Sequence, residues 1–217
     1  MDLVIAVSRQ LGADGEAVAR RVADELNFQY LDREIVSRAA MLAGVSEEAL
    51  EEAEKVPSLL ARIADVLGRY PADELFAIPV GGLPPAPALT HDAYRAFIEQ
   101  VIRSVAERGR AVIVGHAAPV LLKDYPNALT VFVAAPLEYR VRQVAAQERL
   151  DLKAAEKRVR DVDRQRADFF KTYYGADWRS PELYHLTVNT ARFGVEGAAR
   201  LVVAAARLVA ERLGSPG

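Results

Sequence analysis

The chain has 217 residues, 51% of them apolar and 27% charged, with a formal net charge of −2. That is the balance of one ordinary globular domain with a full hydrophobic core, not of a disordered or fibrous chain. A near-neutral charge gives no reason to expect nucleic acid as a partner, and the lack of any cysteine excludes disulfides, thiolate zinc sites and cysteine nucleophiles.

Asp2 puts an acid where a secretory signal carries basic residues, and no apolar run approaches the roughly 18 to 20 residues that span a bilayer. A cytoplasmic location with no membrane partner is expected. Leu3 to Val7 is a continuous apolar run rich in β-branched residues, the pattern of a strand buried on both faces of a parallel sheet. A loop of small residues, Ser8 to Gly15, leads into a helix whose core face is Val18, Val22 and Leu26, with Ala19 and Ala23 beside them. Phe28 to Leu31 is predicted as the next strand. Asp32-Arg33-Glu34 opens another helix with acids in its first turn, and Gly44 ends it.

Ser46 is placed to cap a further helix, and Pro57, Pro71 and the Pro/Gly-rich stretch from Pro79 to Pro87 then break the chain repeatedly. A long helix from Thr90 or His91 carries Tyr94, Phe97, Ile98, Val101, Ile102 and Val105 and ends at Gly109. Ala111 to Val114 and Leu129 to Ala134 are the next buried strands. Helices follow over Leu137 to Gln147 and Leu152 to Tyr173, then a strand near Leu186 to Val188. The last helix, Val195 to Leu213, has Leu201, Ala205, Leu208 and Val209 on one face. Strands alternating with helices predict an α/β fold, a five-stranded parallel sheet with helices on both faces. Residues 1–217 are expected to form one domain, with an insertion over 45–95 and a lid region over 148–180.

The strongest local feature is Ser8-Arg9-Gln10-Leu11-Gly12-Ala13-Asp14-Gly15-Glu16, because it joins a buried strand to a helix. Such a junction aims backbone N–H groups and a helix N-terminus at one point, as a phosphate requires. Gly15 stands where the phosphate-binding lysine of G-x-x-x-x-G-K-[ST] would be, so that pattern fails. An ordinary βα loop with Asp14 as helix cap is the competing reading.

The run Val4 to Gly15, then Tyr30-Leu31-Asp32-Arg33-Glu34-Ile35, then Val112-Ile113-Val114-Gly115, resembles the cytidylate kinase-like family. Asp161 to Ala167, Tyr173-Tyr174-Gly175-Ala176-Asp177-Trp178 and Val188-Asn189-Thr190 agree with it in order and spacing. The resemblance implies a P-loop kinase core, an NMP-binding insertion, an arginine-bearing lid, and phosphoryl transfer from ATP to CMP or dCMP with Mg2+ held through the nucleotide phosphates.

Carried onto this chain, the resemblance has Ser8, Gln10, Gly12, Ala13, Asp14, Gly15 and Glu16 surround the donor phosphates. Arg9 is the residue best able to supply the missing positive charge, or else it ties the loop to a neighbouring acid. Asp32, Arg33 and Arg38 fall where related kinases hold the acceptor nucleotide. Arg38 suits its phosphate, since a guanidinium fork matches phosphate oxygens, and Asp32 doubles as a helix cap. Gly115-His116 ends a strand where such sheets place ligands, with His116 replacing a common arginine. In the lid, Arg158, Arg160 and Arg166 are expected to neutralise the migrating phosphoryl group, with Asp163 orienting an arginine or meeting the base. A solvated face of ion pairs explains much of the same run. Tyr173, Tyr174 and Trp178 read as packing of the lid helix on the core.

Asp14 and Glu16 set negative charge beside the expected triphosphate, which they either repel, at ~1 to ~4 kcal/mol for charges about 4 Å apart, or serve by holding magnesium. A nucleotide-binding protein of kinase fold without turnover, and an interaction protein using the helical insertion, are the alternatives to an active kinase. Oligomeric state is left open.

Overall fold

The computed structural model describes residues 2–46, 56–69 and 92–214. The expected helix start at Ser46-Glu47, the Pro71 break, the Pro/Gly-rich loop and the helix start at Thr90 or His91 lie wholly or partly outside those residues.

In chain order the elements are β1 (Val4–Arg9), α1 (Gly15–Leu26), β2 (Gln29–Leu31), α2 (Arg33–Leu42), α3 (Val56–Arg69), α4 (Asp92–Arg108), β3 (Ala111–Val114), α5 (Ala118–Leu122), β4 (Ala128–Ala134), α6 (Leu137–Glu148), α7 (Leu152–Tyr174), β5 (Leu186–Asn189) and α8 (Thr190–Gly214). The five strands pair in the order β2-β3-β1-β4-β5, every pair parallel. Consecutive strand residues point to opposite faces, yet Val4 to Val7 are all buried, so both faces of the sheet are covered. α1 and α8 pack together on one face, and α4 with α5 on the other.

Connections from β1 lead first to the β2–β3 side and later to the β4–β5 side. The carboxyl end of β1 is therefore the point where strand order switches, and open α/β sheets bind ligands in the crevice beyond that point. Among the described residues no helix is long and apolar enough to cross a membrane.

Several expectations shift. β1 runs past Val7, because Ser8 and Arg9 pair with Phe132 and Val133 of β4, so Arg9 stands on the sheet and not in a free loop. Pro57 does not break the chain; it sits in the first turn of α3, where its missing N–H has no intrahelical partner to lose. A short helix, α5, fills the stretch after β3. α8 begins at Thr190 and is interrupted at Gly194, whose φ of 65° and ψ of 178° are non-helical. Its buried face is Ala198, Ala199, Val202, Val203 and Ala206, while Leu201 and Leu208 are exposed. Small residues let α8 approach α1 closely, which turns the larger leucines outward.

Candidate functional site

β1 delivers Ser8 and Arg9 to the switch point, and the chain then makes a tight turn, with the Ala13 N–H donating to the Gln10 carbonyl at 3.2 Å. The Gln10 side-chain oxygen accepts from the Ala135 N–H at 3.1 Å, tying the turn to the end of β4. Thr190, buried at the start of α8, donates to the Ala13 carbonyl at 3.0 Å. Gly12 has a φ of +77°, and a Cβ there would lie 2.5 Å from the Arg140 carbonyl oxygen. A side chain is thus excluded by both conformation and space.

Asp14 occupies the cap position of α1 with a left-handed φ of 54°, but its carboxylate does not cap the helix. It accepts instead from Tyr139 Oη and Gln147 Nε2 of α6, each at 3.2 Å. The positive end of the α1 dipole is left without a side-chain cap, and the acid faces α6. Glu16 accepts from Arg9 Nε at 2.7 Å. Enclosure by the loop would raise the Glu16 pKa, but the Arg9 charge and hydrogen bond outweigh it and hold the carboxyl below its ordinary value.

Beyond Arg9 opens a cleft of about 500 Å³ whose lining includes Ser8, Arg33, His116, Arg166, Arg95 and Tyr174. Arg166 of α7 donates to the Arg9 carbonyl at 2.6 Å. Burial and then the Arg9 charge lower the Arg166 pKa to about 10, which leaves it cationic at neutral pH. Gly115, His116 and Ala117 all have positive φ, at 86°, 53° and 54°. Three successive left-handed residues, two of them not glycine, are costly outside a site that needs them. They turn the His116 ring into the cleft, where its Nε2 is buried with no hydrogen-bond partner among the described residues. Burial, and then the neighbouring Arg33, depress the His116 pKa to about 4, so the ring is neutral at pH 7.

The opposite wall comes from α4 and α7. Arg95 Nη1 donates to Glu99 Oε1 at 2.8 Å, and the Tyr174 hydroxyl donates to the same oxygen at 2.9 Å. Arg95 also lies over the Tyr173 ring, 4.8 Å from its centroid, and Phe169 and Phe170 complete the wall. The cleft therefore has a cationic end at β1 and β3 and an aromatic end carrying one carboxylate and one guanidinium.

Not every residue expected from sequence lines it. Ser8, Arg9, Arg33, Gly115, His116 and Arg166 do. Gln10, Gly12, Ala13, Asp14, Gly15 and Glu16 form the adjoining loop and the first turn of α1. The Asp32 carboxylate caps α2, accepting from Glu34 N and Ile35 N at 3.0 Å each, and meets Arg20 at 3.2 Å. Arg38 is half-buried on α2, outside the cleft lining. Arg158 and Arg160 stand on the exposed face of α7, paired with Glu148 at 3.4 Å and Glu156 at 2.7 Å. Asp163 is buried against Arg140.

The chain matches the cytidylate kinase-like family over residues 4–192. It belongs to that family. A cytidylate kinase from Aeropyrum pernix is 36% identical over 110 residues, which cover 51% of this chain and 63% of that protein. One from Pyrococcus horikoshii is 23% identical over 203 residues, 94% of this chain and 88% of that protein. The chain thus spans less than two thirds of the Aeropyrum pernix protein, and 54% of a Desulfurococcus amylolyticus cytidylate kinase that is 34% identical. An uncharacterized protein from Eubacterium ventriosum shares the fold, with a TM-score of 0.64 at 19% identity over 94% of this chain and 98% of that one.

Within this cytidylate kinase-like chain, sequence does not single out Arg95, Glu99 or Arg140, and Tyr174, which packs on the Phe170–Trp178 cluster as expected, also lines the cleft. Arg95 and Glu99 are four apart on a helix, a spacing shared by any solvated ion pair. Trp178 is packing, fully buried with Phe132 and Tyr184.

Proposed function

We propose that this chain is a cytoplasmic nucleoside monophosphate kinase that transfers the γ-phosphoryl group of ATP to CMP or dCMP. The observation that carries the reading is the cleft at the switch point, with Arg9, Arg33 and Arg166 at one end and the Arg95–Glu99–Tyr174 cluster at the other. An oxygen of the acceptor phosphate bonds to the γ-phosphorus while the bond from that phosphorus to the bridging oxygen breaks, leaving ADP and a nucleoside diphosphate. Such a transfer needs positioning and charge neutralisation more than a covalent nucleophile, and three guanidinium groups supply both.

His116 serves as a neutral hydrogen-bonding group beside the acceptor phosphate, not as a cation. At the far end Phe169, Phe170 and Tyr174 offer stacking surface to a base. The Glu99 carboxylate suits an amino group such as the cytosine N4, and Arg95 suits the ring nitrogen and carbonyl oxygen beside it. Arg158 and Arg160 reach the phosphates only if α6 and α7 swing inward as a lid.

Among the described residues no three His, Asp or Glu side chains gather into a metal cage. Mg2+ carried by substrate phosphates needs only one or two protein carboxylates, and Glu16, half exposed at the loop, fits that part. When bound, the ion supplies further positive charge to the phosphates. The test is ADP release with ATP, Mg2+ and a panel of nucleoside monophosphates. CMP and dCMP should give the highest kcat/KM, and silence across the whole panel would refute the reading.

A further inference from the structure

We propose that Arg9 and Gly15 have exchanged the parts played by glycine and lysine in an ordinary phosphate loop, so that the triphosphate-binding cation comes from β1 and not from α1. This rests on the phosphoryl-transfer reading above. Laid on the loop, the pattern G-x-x-x-x-G-K-[ST] puts its lysine at position 15 and its first glycine at position 9. Here the residue types are reversed: the glycine is at 15 and the cation at 9.

The geometry explains why the two changes go together. A Cβ at Gly15 would lie 2.3 Å from Arg9 Cβ and 2.7 Å from Arg9 Cγ. Those atoms are at the root of the arginine side chain and cannot swing away as a flexible tip does. Positions 9 and 15 therefore cannot both carry side chains, and a cation at one requires glycine at the other.

The Arg9 side chain then follows the path that Gly15 leaves open. Its Nε meets Glu16 in the first turn of α1 at 2.7 Å. Its Nη1 passes Gly115, where a Cβ would lie 2.9 Å away, and so reaches the edge of the acceptor cleft. Arg166 holds the Arg9 backbone through its carbonyl. The guanidinium thus lies between the amide-rich start of α1 and the end of β3, where a donor phosphate would meet an acceptor phosphate. Glu16 holds it there until a polyphosphate takes over its N–H groups. A planar fork with several donors suits two phosphates at once better than an ammonium does.

The test compares the wild type, Arg9→Gly, Gly15→Lys and the double variant Arg9→Gly/Gly15→Lys. Calorimetry measures binding of a non-hydrolysable ATP analogue with Mg2+, and a coupled assay measures CMP-dependent ADP release. Arg9→Gly should weaken analogue binding at least ~10-fold. Gly15→Lys should gain nothing and melt at a lower temperature, while the double variant should recover at least ~10-fold over Arg9→Gly. Arg9→Gln, which keeps the side-chain stem, should lose affinity as Arg9→Gly does, and it decides the matter if the glycine variants do not fold. Wild-type affinity in either Arg9 variant, or a folded double variant no better than Arg9→Gly, overturns the exchange while leaving the kinase reading intact. A wild type that neither binds the analogue nor releases ADP overturns both.

Discussion

Arg140 on α6 and Asp163 on α7 form a buried ion pair, with 3.1 Å between Nη1 and Oδ2. The same guanidinium donates to the Ala135 carbonyl at 3.1 Å and reaches the Leu11 carbonyl at 3.5 Å. One arginine thus links α6, α7, the end of β4 and the loop between β1 and α1.

Removing one partner of this pair strands a charge in a low-dielectric site. Asp163→Ala should lower the unfolding free energy by about 3 kcal/mol in chemical denaturation. Loss of under ~1 kcal/mol would mean that water reaches Arg140 and that the pair is only a surface contact.

Gly12→Ala tests how tightly the loop is held against α6. Positive φ and the 2.5 Å approach to the Arg140 carbonyl act together, so the variant should be less stable by about 2 kcal/mol and lose most of its turnover. Wild-type melting and activity would show that the loop has room to relax.

The pH dependence of stability should carry a His116 signature. Its pKa is about 4 in the folded chain against an ordinary 6.5. Between those values the unfolded chain binds a proton that the folded chain does not, so stability falls as pH drops from about 6.5 towards 4, by ~3 kcal/mol at most. In His116→Gln the loss between pH 7.5 and pH 4.5 should be smaller by about 2 kcal/mol. Parallel curves for the two proteins would place the His116 ring in contact with water.

Glu99→Gln probes base recognition. A carboxylate only accepts from an amino group, whereas a carboxamide also donates to a carbonyl oxygen. The ratio of kcat/KM for CMP over UMP should fall at least ~10-fold, consistent with ~1–3 kcal/mol for a base-edge contact. An unchanged ratio would remove the α4 wall from the base site.

Much of the architecture is legible in the chain. β1, β3 and β4 announce themselves as mainly apolar runs rich in β-branched residues, because strands buried on both faces leave little room for polar alternation. α1 declares its core face through Val18, Val22 and their alanine neighbours, and Asp32 declares the start of α2 by the chemistry of its cap. The Ser8–Glu16 junction marks the loop at the switch point. These features depend on residues close in sequence, whose periodicity and capping act over a turn or two of backbone.

The α8 face was legible only in part, since an alanine-rich helix offers two overlapping apolar stripes and its packing on α1 selects one. The cleft was less legible still. Glu99 and Tyr174 are 75 residues apart, and Arg95 with Glu99 looks like any exposed helical pair until α7 closes against it. Sequence by itself determined the alternating α/β framework and the position of the loop between β1 and α1, because local periodicity and turn chemistry encode both. Tertiary structure alone decided which side chains the distant arginines meet, that Asp14 turns to α6 and that Arg9 fills the space above Gly15, because burial and contact between distant segments exist only once the chain has closed on itself.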